Sequence, residues 1–243
     1  MGRGVVRARA AGFDTVVATS VVPTATITVQ AWPVGAAQQT VLLSTVGAIA
    51  DVDAFAPLRF GPSSQFLYFT QGVGGGLSGW RIATDGTGLS QVTEPGAAVP
   101  PFAGSETSPS PDPAGTTVIY DSNLDGVGTT NLRTRVLGSG VVTPLGLAGQ
   151  TPRWSLDGTR IGYRDDQFRL VVAQPNGANP TVTSGRISAG FSWSPDSRWI
   201  VAAIPSSNPQ LVLVDTQTGM NLPMYLKPPG ALTVGKPAWK PTP

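Results

Sequence analysis

The chain contains no histidine and no cysteine. That removes the Ser-His-Asp triad, the Cys-His pair, disulfides, and every histidine or cysteine metal site. What remains is carboxylate chemistry. Glycoside cleavage needs two acids about 5–10 Å apart in one cleft, yet the only glutamates are Glu94 and Glu106, both in a Pro- and Gly-rich stretch. The aspartates mostly fall in turn sequences, where a carboxylate accepts hydrogen bonds from nearby backbone amides. No catalytic residue is assigned and no cofactor is expected.

Two patterns carry weaker chemistry. Asp121-Ser122-Asn123-Leu124-Asp125-Gly126 matches the opening of a calcium loop, with Asp121, Asn123 and Asp125 as ligands. A helix-loop-helix calcium site adds a bidentate acid at its twelfth position. Here that position is Leu132 and the ninth is Thr129, so a turn is the expected reading and no metal. Gly72 to Gly79 is glycine-rich but lacks the Lys-Ser/Thr and the helix of a phosphate cradle. Four residues are candidates for ligand contact. Arg59 and Arg153 each precede an aromatic residue and would make a central opening basic, which attracts acidic groups. Trp80 and Phe102 are the aromatic candidates, Phe102 within a proline-bearing stretch from about Glu94 to Ser108 that reads as a contact loop.

The elements that position these residues come from a repeat. Pro152-Arg153-Trp154-Ser155-Leu156-Asp157-Gly158-Thr159-Arg160-Ile161 and Phe191-Ser192-Trp193-Ser194-Pro195-Asp196-Ser197-Arg198-Trp199-Ile200 share an aromatic anchor, a serine, a turn and an apolar strand. Further copies begin at Pro57, at Ser108 and at Lys236, with anchors Phe60, Ser110 and Trp239. The anchors are spaced by 50, 44, 39 and 46 residues, the period of a four-stranded propeller blade. Trp154, Trp193 and Trp239 read as blade core, whereas Trp32, Trp80 and Trp199 fall elsewhere in the repeat.

Aromatic-Ser-Pro-Asp-Gly followed by an apolar strand, Ser-x-x-Asp-Gly and an Asp-Gly turn resembles the repeat of the TolB-like β-propeller family. Tyr120 to Gly126 and Ala83 to Leu89 fit it. Pro62-Ser63-Ser64 and Asp196-Ser197 depart from it by losing the Asp-Gly pair. The resemblance covers about residues 57–241 well and 10–56 weakly. It implies an all-β propeller, and the anchor spacing gives a single domain of five blades, at roughly 10–56, 57–107, 108–150, 151–189 and 190–235. Residues 236–241 are the closing strand of the first blade, and six blades are the alternative. Near the N-terminus, Asp14–Ser20, Ala25–Trp32 and Thr40–Thr45 read as strands. Val5–Arg9 competes with the Trp239 segment for the innermost place, and Trp239 fits the anchor better.

Composition agrees with many short strands and tight turns. Glycine (30) and proline (23) are abundant among 243 residues, and only 12% are charged. The formal charge is +2 and the basic residues are scattered, so no nucleic-acid partner is expected. No run of about 18 apolar residues suggests a membrane span. No apolar leader follows Met1, so the chain reads as cytosolic or as the mature or truncated form of an exported protein. The resemblance favours a periplasmic or extracellular, monomeric, non-enzymatic module that binds a protein or peptide on one face. The alternatives are a carbohydrate-binding or carbohydrate-cleaving propeller and a regulatory propeller severed from a larger hydrolase.

Overall fold

A computed structural model describes residues 3–10, 13–20, 26–33 and 40–46, then 59–94 apart from 64 and 74–75, 104–188 apart from 126–127, and 190–226 apart from 206–209. These residues form five four-stranded antiparallel sheets, each built from strands consecutive in sequence. The first holds β1 (Arg3–Ala10), β2 (Phe13–Ser20), β3 (Thr26–Pro33) and β4 (Thr40–Val46). The second holds β5 (Arg59–Phe60), β6 (Phe66–Val73), β7 (Gly76–Ala83) and β8 (Ser90–Gln91). The third holds β9 (Glu106–Pro111), β10 (Thr117–Ser122), β11 (Asn131–Val136) and β12 (Val142–Ala148). The fourth holds β13 (Gln150–Trp154), β14 (Ile161–Arg164), β15 (Arg169–Ala173) and β16 (Thr181–Arg186). The fifth holds β17 (Phe191–Trp193), β18 (Trp199–Ile204), β19 (Gln210–Asp215) and β20 (Asn221–Leu226). Among the described residues no helix is long and apolar enough to cross a membrane.

The first strands gather at the centre. β9 lies against β13 of the next sheet and against β6 and β7 of the preceding one, and β1 lies beside β5. The sheets are the blades of a β-propeller. They pack through the alternation of a strand's two faces. On β10, Val118 and Tyr120 join Tyr68 and Val92 of the second blade. Ile119 between them turns the other way, to Ile161 and Tyr163 of the fourth. On β15, Val171 and Ala173 face the third blade, while Leu170 and Val172 pack with Phe191, Trp193 and Ile200 of the fifth. A Cβ on Gly162 would stand 3.1 Å from the Phe191 ring and 3.3 Å from that of Trp193, so glycine permits the close approach of these two blades.

The repeated serine and aspartate hold the turn between the first two strands of a blade. Ser155 Oγ donates to Asp157 Oδ1 at 2.6 Å and accepts from the Arg160 amide at 3.0 Å, and Asp157 Oδ1 accepts from the Thr159 amide at 3.0 Å. Ser194, Asp196, Arg198 and Trp199 repeat the arrangement one blade later.

Three sequence expectations are corrected. The innermost strand of the first sheet is Arg3–Ala10, paired with β2 in unbroken register from Arg3 opposite Ser20 to Ala10 opposite Phe13. A partner two residues away in sequence loses little entropy on closure, which offsets the anchor that Arg9 lacks. The blade therefore starts at residue 3 and not near 10; the segment 236–241 lies outside the described residues. Glu106, Thr107 and Ser108 are not loop, because Thr107 pairs with Asp121 and Glu106 with Ser122 within the third sheet. Trp193 is buried at 4% exposure, but Trp154 is only partly buried, packed against the cluster of Ile119 and Ile161.

Candidate functional site

A cavity of about 250 Å³ opens between the inner strands of the third and fourth blades. Its wall comes from Ser105 and Thr107 at β9, Asp121 and Asn123 at the end of β10, Thr130 before β11, and Gln150 and Thr151 on β13. Two backbone distortions build it. Ser108 and Thr151 both hold positive φ, at 56° and 52°, and each precedes a proline. Left-handed backbone is costly for a residue with a Cβ, and a following proline disfavours helical conformations further. The strand register slips at both points. These bulges carry Thr107, Gln150 and Thr151 to the cavity wall.

Asp121 is the one carboxylate in that wall. It accepts from the Thr107 hydroxyl at 2.9 Å and draws on the Thr151 amide. Burial nevertheless raises its pKa above the ordinary aspartate value. Arg164 occupies on β14 the place that Asp121 occupies on β10, and donates to Gln150 Oε1 at 2.5 Å. Burial lowers the pKa of Arg164, with Asp121 opposing the shift.

Arg59 and Arg153 sit on the inner strands β5 and β13. Arg59 has Nε and Nη2 shut off from solvent with no hydrogen-bond partner, and Arg153 has Nε in the same state. Burial lowers the Arg59 pKa first, repulsion from Arg153 lowers it further, and Asp121 pulls it back. Burial alone brings Arg153 down to about 10. The Arg153 guanidinium also lies 5.1 Å above the centre of the Phe191 ring. Asp121 thus lies within electrostatic reach of Arg59 and of Arg164.

The other sequence candidates do not join this site. Trp80 is half-buried on β7, opposite Phe69 and Gln91, and does not line the cavity. Phe102 lies outside the described residues. The candidate ligands of the calcium-like segment are separately engaged: Asp121 turns to the cavity, Asn123 Oδ1 accepts from the Ser105 amide at 2.5 Å, and Asp125 pairs with Arg133. Millimolar calcium or EDTA is expected to leave the melting temperature unchanged, since weak binding adds no stability by linkage. A rise of several degrees with calcium, lost in Asp121→Ala, would refute this. The sequence reading missed Thr107, Gln150, Thr151 and Arg164. Two signals mark them: the repeated hydroxyl-proline pairs Ser108-Pro109 and Thr151-Pro152, and the parallel Tyr120-Asp121 and Tyr163-Arg164 at the ends of second strands.

No family model and no curated protein sequence matches the chain. Solved structures do. TolB from Acinetobacter baumannii superposes at a TM-score of 0.70 with 18% identity, covering 96% of this chain. The chain has a TolB-like β-propeller fold. It spans 55% of that TolB. An oligogalacturonate lyase from Vibrio parahaemolyticus matches at a TM-score of 0.61 and 11% identity, over 90% of this chain and 63% of the lyase. A puromycin-hydrolyzing peptidase from Mycobacterium tuberculosis matches at 0.62 and 13%, over 92% of this chain and 37% of the peptidase. At such identities the TolB-like architecture is shared and the activities are not thereby transferred.

Proposed function

We propose that this TolB-like propeller is a non-enzymatic binding module that receives a peptide segment of a protein partner at the mouth of its central channel, at or outside the bacterial cell envelope. The observation that carries the reading is the channel itself. It offers a polar cavity walled by hydroxyls, amides and the Asp121 carboxylate between the third and fourth blades, with Arg59 and Arg153 on inner strands, which is recognition chemistry. A rigid propeller presents such a site without reorganisation, so little entropy is lost on binding.

A second reading, carbohydrate binding or cleavage, draws on the similarity to the oligogalacturonate lyase. Cleavage by a carboxylate pair requires two acids in one cleft, and Asp121 stands alone in the cavity wall. No aromatic ring lines the cavity to stack on a sugar. The test pairs two measurements. Immobilised chain is used to capture proteins from an envelope extract, beside the Arg59→Gln/Arg153→Gln double variant, while soluble chain is screened against glycoside, uronide, ester and peptide substrates. A protein retained by the wild type and lost by the double variant, with no turnover, is the expected result. Robust turnover that disappears in Asp121→Asn would overturn the reading in favour of an enzyme.

A further inference from the structure

We propose that Phe168 and Arg186, on the fourth blade, form a contact surface for an extended peptide that carries an aliphatic or aromatic residue beside an acidic one. The inference rests on the partner-binding reading only for the ligand being a peptide. Phe168 stands where the fold asks for glycine. In the tight turns of the blades, the fourth residue donates its amide to the carbonyl of the first and has positive φ. Gly86, Gly115, Gly158 and Gly177 fill that place, with φ of 86°, 71°, 73° and 84°, and Ser197 fills it at 59°. Phe168 fills it at 64°, its amide on the Asp165 carbonyl. Left-handed backbone is costly under a bulky side chain, and such strain gathers at ligand contacts. The ring is also left 40% exposed, where glycine would carry neither cost.

The neighbours hold the ring in place. The Phe168 carbonyl accepts from the Ile187 amide at 2.8 Å. The Arg164 guanidinium lies 4.8 Å from the ring centre, and its Nη2 donates to Gln150 Oε1 in the cavity wall. The Arg186 guanidinium lies 5.1 Å from the same centre. Arg186 pairs across the sheet with Arg169, which is neutralised by Asp165 at 2.7 Å. Arg186 itself is exposed and has no ion pair among the described residues. An exposed apolar ring beside an unneutralised guanidinium is complementary to an apolar side chain beside a carboxylate. The turn follows the second strand of its blade, as Asn123 follows that of the third, so it opens on the same end of the propeller as the cavity. A sugar stacks on an open ring face, and guanidinium groups already stand over this one. An aliphatic side chain packs as well against an edge.

A phage library of random dodecapeptides is panned against the immobilised full chain. Enriched peptides are synthesised and their Kd is measured by fluorescence anisotropy. Peptides with an aliphatic or aromatic residue next to Asp or Glu are expected. Phe168→Asn should weaken their binding by at least roughly tenfold. Asparagine accepts left-handed backbone, so the circular dichroism of this variant should match the wild type. Phe168→Tyr keeps the ring and should keep the affinity. Arg186→Gln should weaken binding by roughly threefold and flatten its salt dependence; this exposed substitution decides the matter if Phe168→Asn does not fold. Leu89→Ser, at an exposed apolar residue of the second blade, should change nothing. Peptides that bind Phe168→Asn and Arg186→Gln as tightly as the wild type overturn the surface, and the partner-binding reading survives if Asp121→Asn or Gln150→Ala weakens them. No enrichment against the wild type sinks the reading and the surface together. Galacturonate oligomers that displace the peptides at lower Kd overturn the peptide assignment.

Discussion

Replacing Trp193 with alanine is expected to destabilise the protein by about 3–5 kcal/mol, the range for a large aromatic removed from a packed core. Trp193 is 4% exposed and fills the joint between the fourth and fifth blades. Its ring packs in the cluster of Leu170, Phe191 and Ile200, and Gly162 lies close against it. The Arg160 guanidinium sits 5.3 Å over the ring, which adds about 0.5–1 kcal/mol. Its indole N–H donates to the Arg153 carbonyl at 3.3 Å, fastening the core to the strand that carries a channel arginine. The neighbouring blades are rigid sheets, so the vacated space cannot collapse. Trp199 supplies the contrast. It is half-buried, with Arg198 over its ring, and its alanine variant should lose less than about 1.5 kcal/mol. Urea unfolding of both variants checks the pair. Equal losses would mean that the shared anchor position carries no special packing role.

The repeat position alone marks Trp193 as core but overstates Trp154, which shares that position and is only partly buried, as Trp199 is. The repeat does expose the blades. A strand's alternation and a Ser-Asp turn are local patterns, and Ser155 with Asp157 makes the same bonds as Ser194 with Asp196. The limits are equally physical. Arg3–Ala10 carries no aromatic anchor, so its place had to come from pairing with its neighbour. Asp121 reads as a turn residue when only its sequence neighbours are considered, and lines the cavity once the third and fourth blades are packed together. Arg59 and Arg153 stand out in the sequence by their place before the anchor. That Nε of both, and Nη2 of Arg59, are shut off from solvent without a partner follows from the packing of separate blades, which no local pattern encodes. The bulges at Ser108 and Thr151 are of the same kind: each hydroxyl-proline pair is visible, but the positive φ depends on the strand it must join.

Stability should fall as pH rises from about 4.5 to 7 because of Glu106, and Glu106→Gln should remove that dependence. Glu106 is 1% exposed at the joint between the second and third blades. Neither carboxyl oxygen has a hydrogen-bond partner; the Thr93 hydroxyl is near enough to favour the charged form but outside bonding geometry. Burial raises the pKa from 4.5 to about 7, with Glu94 adding to the shift and Arg133 and Arg135 opposing it. Arg133 is itself committed to Glu94 and Asp125. The Tyr120 hydroxyl, buried without a partner, is pushed up by burial and then by Glu106. In the folded chain Glu106 therefore keeps its proton up to about pH 7, whereas the unfolded chain releases it near 4.5. Between those values the folded state binds more protons, so each step upward in pH favours unfolding, and the loss levels off above 7. The shift corresponds to about 3 kcal/mol at pH 8. Glutamine has the shape of the protonated acid and no charge to bury. Glu106→Gln should match the wild type at pH 4, exceed it by about 2–3 kcal/mol at pH 8, and show a flatter profile between. Urea unfolding at pH 4, 6 and 8 measures all three points. A variant whose stability tracks the wild type at every pH would show that Glu106 ionises freely in the folded chain, and that the joint between these blades is open to water.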